Sequence, residues 1–228
     1  MRINKFLAHA GVASRRKADE LIEQGKVFVN NKKATLGQQI NPQKDEVKVN
    51  GSPISSQEEF EYIIINKPKG VASTAADTLV NTKSRVYPVG RLDKESTGLI
   101  LLTGDGDLTN RLTHPRYHVE KIYEVTYLGK VDDATIGRME KGIEKEEGKT
   151  KEARVKTLST NEHKTVLQIT LFEGRKRQIR RMAEKFHLHI LSLKRIAIGP
   201  INLGNLESGK FRKLTNDEIS ALKKSARV

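Results

Sequence analysis

Two apolar runs, RVYPV (85–89) and LILLT (99–103), enclose the nine-residue loop GRLDKESTG (90–98). Runs this short and this apolar read as buried strands rather than helices, and YIII (62–65) repeats the pattern. A tight hairpin needs only two residues between its strands. This connection is longer, carries Arg91, Asp93, Lys94 and Glu95, and begins and ends in glycine. Loops held by flanking strands are where reactive side chains are displayed. The chain is therefore expected to build a sheet whose purpose includes presenting this loop.

The remainder of residues 62–228 agrees with a sheet. KIYEVTYLG (121–129) alternates, with Ile122, Val125 and Tyr127 marking a strand that twists or changes face. EARVKTLS (152–159) and TVLQITLFEG (165–174) read as paired strands, and DDATIGRMEKGI (132–143) fits a helix. RKRQIRRMAEKFH (175–187) places Ile179, Met182 and Phe186 on one helical face, and a group of short strands follows. Strands dominate with helices interspersed, which predicts an α+β domain on a mixed, largely antiparallel sheet.

Residues 1–50 read as a separate small module. Ile3, Phe6, Leu7 and Ala10 have helical spacing and Gly11 ends the run; Ser14 is a suitable N-cap for a second helix carrying Ala18, Leu21 and Ile22, closed by Gly25. KVFVNNKKA (26–34) and EVKVNG (46–51) are short strands, with Asn30-Asn31 as a turn. SPISSQEEFE (52–61) is polar, contains Pro53 and has no period, so residues 51–61 are expected to be a linker. Arg15, Arg16 and Lys17 occupy the first turn of the second helix, where the helix dipole favours acids. A bound phosphate removes that mismatch.

The net charge of +14 generalises the point. It favours a polyanionic partner, with nucleic acid first and an acidic membrane surface second. No apolar run nears the roughly 18 residues of a membrane span, and the N-terminal residues lack the apolar block of a secretory signal. There is no cysteine, which suits a reducing cytoplasm. GDGD (104–107) lacks the further ligand spacing of a calcium loop. HLH (187–189) has no third partner in view and reads as a surface strand, so no metal is expected.

Three segments carry chemistry. The loop offers one acid, Asp93, between Arg91 and Lys94, whose charges favour the carboxylate if they are close in space. KIYEV offers Tyr123, and EGRKRQIRRM (173–182) sets Arg175, Lys176, Arg177, Arg180 and Arg181 on the start and first turns of a helix. Taken singly these are a structural ion pair, a packed tyrosine and a phosphate-binding patch.

Taken in order they resemble a known family. RINKFLAHAGVASRRKADELIEQGKVFVNN is similar to the S4 RNA-binding domain, and GRLDKESTGLILLT, KIYEV, EGRKRQIRRM and LSLKRIAIGPINLGNLESG together resemble the RsuA/RluB branch of the RNA pseudouridine synthases. The resemblance implies an S4-type module followed by a pseudouridine synthase domain that isomerises a uridine of ribosomal RNA, the large-subunit RNA in RluB-like members. It implies Asp93 as the essential carboxylate, Tyr123 stacked on the target base, Arg180 paired with the aspartate, and Arg91 and Leu193 in the pocket. Lys5, Ser14, Arg15, Arg16, Lys17, Lys26, Arg175, Lys176, Arg177 and Arg181 become the expected RNA contacts.

The isomerisation adds and removes nothing, so no cofactor is required. The partner is structured RNA with the uridine flipped out, the protein is expected to be a monomer, and no membrane is involved. Two routes remain open, attack of Asp93 on C1′ or removal of the C2′ proton. Three other readings also stand: a small-subunit enzyme, a catalytically silent S4-type binder, and a glycosidic hydrolase with Glu95 as a second carboxylate.

Overall fold

The structure is a computed structural model that describes residues 1–55, 59–82, 84–144, 148 and 150–227. Two compact units divide the chain. The first takes Met1–Glu61 with Thr82–Arg85 and Gly104–Gly106; the second takes Tyr62–Asn81, Val86–Thr103 and Asp107–Val228.

In the first unit, helices α1 (Ile3–His9) and α2 (Arg15–Glu23) share a core with strands β1 (Val27–Val29), β2 (Lys32–Lys33), β3 (Val47–Val49) and β4 (Ser52–Ile54), ordered β2-β1-β3-β4. Ile3, Phe6, Leu7, Ala18 and Ile22 meet the four strand valines in that core. The Ser14 hydroxyl accepts from the Lys17 amide at 3.2 Å, closing the start of α2. Both hairpins turn through two residues of positive φ, Asn30 and Asn31 in one, Asn50 and Gly51 in the other. That is the turn geometry whose twist matches antiparallel strands. Residues 52–54, at the head of the expected linker, are instead a strand. Pro53 fits there because β4 is an edge strand and needs no outward amide. The middle of that stretch, 56–58, lies outside the described residues.

The second unit adds, in chain order, β5 (Tyr62–Lys67), β6 (Tyr87–Val89), β7 (Thr97–Thr103), α3 (Gly106–Thr113), β8 (Lys121–Leu128), α4 (Asp133–Glu140), β9 (Ala153–Thr160), β10 (Lys164–Leu171), α5 (Gln178–Lys185), β11 (Ile190–Ile198), β12 (Ile201–Asn202), β13 (Phe211–Lys213) and α6 (Asn216–Ser225). One sheet runs β13-β5-β7-β11-β8-β10-β9, with β6 on β7 and β12 on β11. Its pairings are antiparallel except β7–β11. The expected α+β class with a mixed, largely antiparallel sheet is the one observed.

Every residue of β5 is buried, as a strand sheltered on both faces requires. Helix α6 replaces part of the expected run of short strands. Its start is a complete capping box, with the Thr215 hydroxyl on the Glu218 amide and the Glu218 carboxylate on the Thr215 amide. Helix α5 begins at Gln178, later than the expected start at 175, because Arg177 is left-handed (φ 54°) and no helix passes through that conformation. The HLH stretch joins α5 to β11 rather than forming a strand, with both histidines exposed, Leu188 packed against the core and His187 also left-handed.

The tightest point of the sheet is where β7 meets β11. Gly98 has φ 103°, and a Cβ there would sit 2.2 Å from the Arg195 carbonyl oxygen and 2.7 Å from its nitrogen. Both strands' backbones would have to separate. Gly98→Ala is therefore expected to destabilise the protein by more than about 3 kcal/mol, measured as a fall in the urea midpoint. A near-neutral result would show that the strands part easily.

Candidate active site

The loop bearing Asp93 is held from below by two buried polar side chains. Ser73 donates to the Leu92 carbonyl at 2.7 Å and accepts from the Leu92 amide at 2.8 Å. Lys67, at the end of β5 and 0% exposed, donates to the carbonyls of Pro68 (2.8 Å), Val71 (2.8 Å) and Lys94 (3.2 Å). The Lys94 carbonyl also accepts from the Gly70 amide at 2.9 Å. The residues on either side of Asp93 are thus fixed through their backbones. Burial lowers the Lys67 pKa, and the charges of Glu95 and Asp93 oppose that shift. Leu92 completes the anchor by packing against two core clusters, one around Val125 and Ile169 and one around Ile63 and Ile100.

Asp93 faces a cleft of about 510 Å³ in the second unit. Its charged neighbours come from a different segment than the sequence suggests. Arg180 Nε lies 3.5 Å and Arg177 Nη1 3.9 Å from Asp93 Oδ2, whereas no ion pair among the described residues joins Asp93 to Arg91 or Lys94. Those two are exposed, and they line the same cleft as Asp93 without an ion pair to it. Arg180 also donates to Ser96 Oγ at 3.2 Å. Its position follows from α5, which buries Ile179, Met182 and Ala183 against the sheet and leaves Arg180 toward the loop.

Tyr123 and Leu193 line the same cleft from β8 and β11, and Arg91 lies on its rim. Glu95 does not line it; its carboxylate is exposed and 3.5 Å from Lys69. The basic cluster before α5 divides. Arg175 is tied to buried Glu173 at 3.1 Å and to the Gly148 carbonyl at 3.0 Å, while Lys176 and Arg177 are exposed at the cleft. Arg181 lies further along α5, off the cleft lining. Glu173 also accepts from Gln178 Nε2 (3.1 Å) and the Lys151 amide (2.9 Å), so one buried carboxylate shapes the whole segment. In the first unit Ser14, Arg15, Arg16, Lys17 and Lys26 are exposed and Lys5 half-buried; Lys17 is already paired with Glu20 at 2.7 Å.

Five residues of this site were given no role by the sequence reading, although Glu173, Lys121 and Arg195 lie within its motifs: Lys67, Ser73, Glu173, Lys121 and Arg195. Lys121 and Arg195 stand on strand positions facing the cleft with Tyr123 and Leu193. The signal was present for Lys67, a charge closing a fully apolar run, and for Arg195, a charge two residues from Leu193 in the same buried phase. Ser73 had none.

A cleft that sets one carboxylate beside arginines, in a chain of net charge +14, belongs to an enzyme that acts on a polyanion. Residues 61–185 match the RNA pseudouridylate synthase family and residues 1–47 the S4 domain. The chain belongs to the RNA pseudouridylate synthase family. It is 42% identical to ribosomal large subunit pseudouridine synthase B of Bacillus subtilis, covering 97% of this chain and 95% of that one. To the dual-specificity RNA pseudouridine synthase RluF of Escherichia coli K12 it is 41% identical, covering 96% of this chain and 77% of the relative. A crystal structure of a pseudouridylate synthase superposes with a TM-score of 0.71 at 30% identity, covering 97% and 99% of the two chains.

Two expected outcomes test the site's construction. Ser73→Ala leaves the Leu92 amide and carbonyl unpaired, which should cost about 1–3 kcal/mol in urea unfolding. Single-turnover rate should fall with RNA affinity nearly unchanged, because the loop loosens without losing a charge. Lys121 donates to the Val119 carbonyl at 3.0 Å, and burial, helped by the charge of Arg195, lowers its pKa from 10.5 to about 8. A lowered lysine pKa means that the unfolded chain binds more protons between pH 8 and 10.5, so the native lysine's penalty is full below pH 8 and fades above it. The melting temperature of Lys121→Met relative to wild type should therefore be highest near pH 7 and decline toward pH 10. A difference independent of pH would contradict the shift.

Proposed function

We propose that this enzyme converts a uridine of large-subunit ribosomal RNA to pseudouridine, with Asp93 as the reacting carboxylate. The observation that carries the reading is Asp93 itself, clamped through both neighbours' backbones on a cleft that also holds Tyr123 and Arg180. The ribosomal target rests on the relative from Bacillus subtilis, whose name assigns it to the large subunit. A ribosomal RNA substrate supports a cytoplasmic location. Residues 1–50 serve as the RNA-gripping domain and residues 62–228 as the catalytic domain.

The chemistry needs few groups. The N1–C1′ bond breaks, the uracil turns, C5 bonds to C1′, the C5 proton is lost and N1 takes up a proton, so substrate and product are isomers. Asp93 either adds to C1′ or takes the C2′ proton, and both routes need the carboxylate that Arg180 orients. A stacked uridine must first leave the helix at a cost of a few kcal/mol. Tyr123 offsets part of this by stacking, worth about 1–3 kcal/mol per base, and with Leu193 beneath it confines the detached uracil. Arg15, Arg16 and Lys26 in the first unit, and Lys176 at the cleft, contribute phosphate contacts whose strength falls with salt.

Hydrolysis of the glycosidic bond is disfavoured because Glu95, the second carboxylate it would use, is paired at the surface and off the cleft. A second RNA target has one observation in its favour: the relative from Escherichia coli is named dual-specificity at nearly the same identity. Mapping pseudouridine in total RNA from cells lacking the protein distinguishes one lost site from two, and a silent binder leaves all sites intact.

Asp93→Asn should lower single-turnover rate by about 10⁴-fold or more while RNA affinity stays near wild type. Tyr123→Phe should also bind normally, because the stacking face survives. Substantial turnover by the Asn variant would remove Asp93 from the reaction.

A further inference from the structure

The inner end of the cleft contains a cation whose partner is missing. Arg195 is 2% exposed, yet it lines the cleft. Its Nε donates to the Leu99 carbonyl at 2.8 Å, while its Nη2 is buried without any hydrogen-bond partner. Lys121 is its charged neighbour, and among the described residues neither is ion-paired to a carboxylate. Burying two like charges without a counter-charge is destabilising, and an unpaired buried donor adds its own desolvation cost. An apolar side chain at position 195 would spare both. A local conflict of this kind in an otherwise consistent core points to function.

The backbone around Arg195 supports that conclusion. It sits between Gly98, which ends the Asp93 loop, and Tyr123, since its register partners are Gly98 on β7 and Tyr123 on β8. The β8–β11 ladder slips between Arg195 and Ala197, a bulge of the kind that re-aims a side chain beside an active site.

We propose that Arg195, through its free Nη2, donates a hydrogen bond to a carbonyl oxygen of the flipped uracil and, with Lys121, holds the negative charge that the base acquires when the glycosidic bond breaks. The proposal rests on the reading of the cleft as the uridine site. The lining favours a base as the acceptor: Tyr123, Leu171, Leu193 and Ile198 are apolar members of the same cleft, which suits a planar ring with oxygens on its edge. Arg195 is 2% exposed, which suits a group carried into the cleft with the base better than a hydrated backbone phosphate at the surface.

The electron accounting gives the group its purpose. When N1–C1′ breaks, the bonding pair stays on N1 and is shared with O2 and O4, while C1′ is relieved by Asp93 or by loss of the C2′ proton. Charge thus grows on the carbonyl oxygens between ground state and transition state. Donors fixed at that position before reaction accelerate the step, since charge developing there is stabilised without reorganisation. When C5 bonds to C1′ the pair is used and either the Asp93 carboxylate leaves C1′ or the proton it took returns to C2′; the C5 proton is then released and N1 is protonated, so nothing else is consumed.

The test uses the full-length enzyme and a synthetic RNA spanning the mapped uridine, made with uridine, 2-thiouridine or 4-thiouridine at that position. Sulfur accepts hydrogen bonds poorly but disperses negative charge better than oxygen, so chemistry alone would make thiouracil the better leaving group. Wild-type enzyme should nevertheless be slower on at least one thio-substrate. Arg195→Lys should lose about a hundredfold in single-turnover rate on uridine, with RNA affinity little changed, and should show almost no further loss on that same thio-substrate. Such non-additivity marks a direct contact, and a merely structural role would not produce it. If both thio-substrates react at least as fast as uridine in wild type, or if the losses multiply for both, the proposal is overturned. The wild-type comparison decides even if the variant does not fold. Asp93→Asn is the control: activity there would sink the reading of the site, whereas an inactive Asn variant beside a fully active Arg195→Lys would sink only this inference.

Discussion

A buried ammonium holds this active site together. Lys67 ends a strand whose every residue is buried, and its three donors reach three backbone carbonyls, one of them that of Lys94. An unpaired charge in that position would be prohibitive, so the loops around it must close onto it. Hydrogen bonds to a charged group contribute about 1.5–3 kcal/mol each, enough to fix an otherwise open turn. Ser73 does the same for Leu92 with one hydroxyl used as donor and acceptor, and the Leu92 side chain is wedged between two hydrophobic clusters. Asp93 lies between these two anchors. Its backbone is therefore placed by the core, and only its carboxylate is left to face the cleft.

That arrangement separates the groups that hold the acid from the charges placed beside it. Arg180 and Arg177 reach Asp93 at 3.5 and 3.9 Å, longer than a strong charge-assisted hydrogen bond. At those distances the lone pairs of the carboxylate are not fully engaged, which on the proposed reading leaves an oxygen to react. Arg177 meets Asp93 and Glu184 from a left-handed backbone, a conformation that persists for such a residue only when its surroundings hold it. Buried Glu173, binding Arg175, Gln178 and the Lys151 amide, is the group that holds that segment.

The strands of the catalytic unit and the α+β class were legible because alternation and apolar runs report burial directly. Asn30-Asn31 and Ser14 were legible because a turn and a cap have local chemistry. What escaped was anything decided at a distance. Helix α6 carried its capping box in plain view, but its apolar face is short, and a preceding series of short strands masked it. The start of α5 could not be placed, because nothing local in GRKRQ says that Arg177 is left-handed. The same holds for the charges around Asp93. Sequence proximity suggested Arg91 and Lys94, whereas the ion pairs come from residues more than eighty positions away. Lys67 and Arg195 were visible as charges in apolar surroundings, but their partners are backbone carbonyls, those of Lys94 and Leu99 from distant segments, and these have no side-chain signature.

These separate features add up to a polarised cleft. At one wall a carboxylate stands among arginines; at the inner end two cations stand with no ion-paired acid among the described residues. An isomerisation that creates a sugar-side positive charge and a base-side negative charge in one step needs both, at opposite ends of the breaking bond. On the proposed reading the anion faces the ribose and the cations face the base, so each half of the separated charge meets its complement without any added group. The stability that Arg195 and Lys121 cost the empty enzyme then becomes the driving force for placing charge on the uracil. A protein optimised only for folding would fill that end with leucine. This one leaves it polar and unfinished, and a substrate carbonyl would complete it.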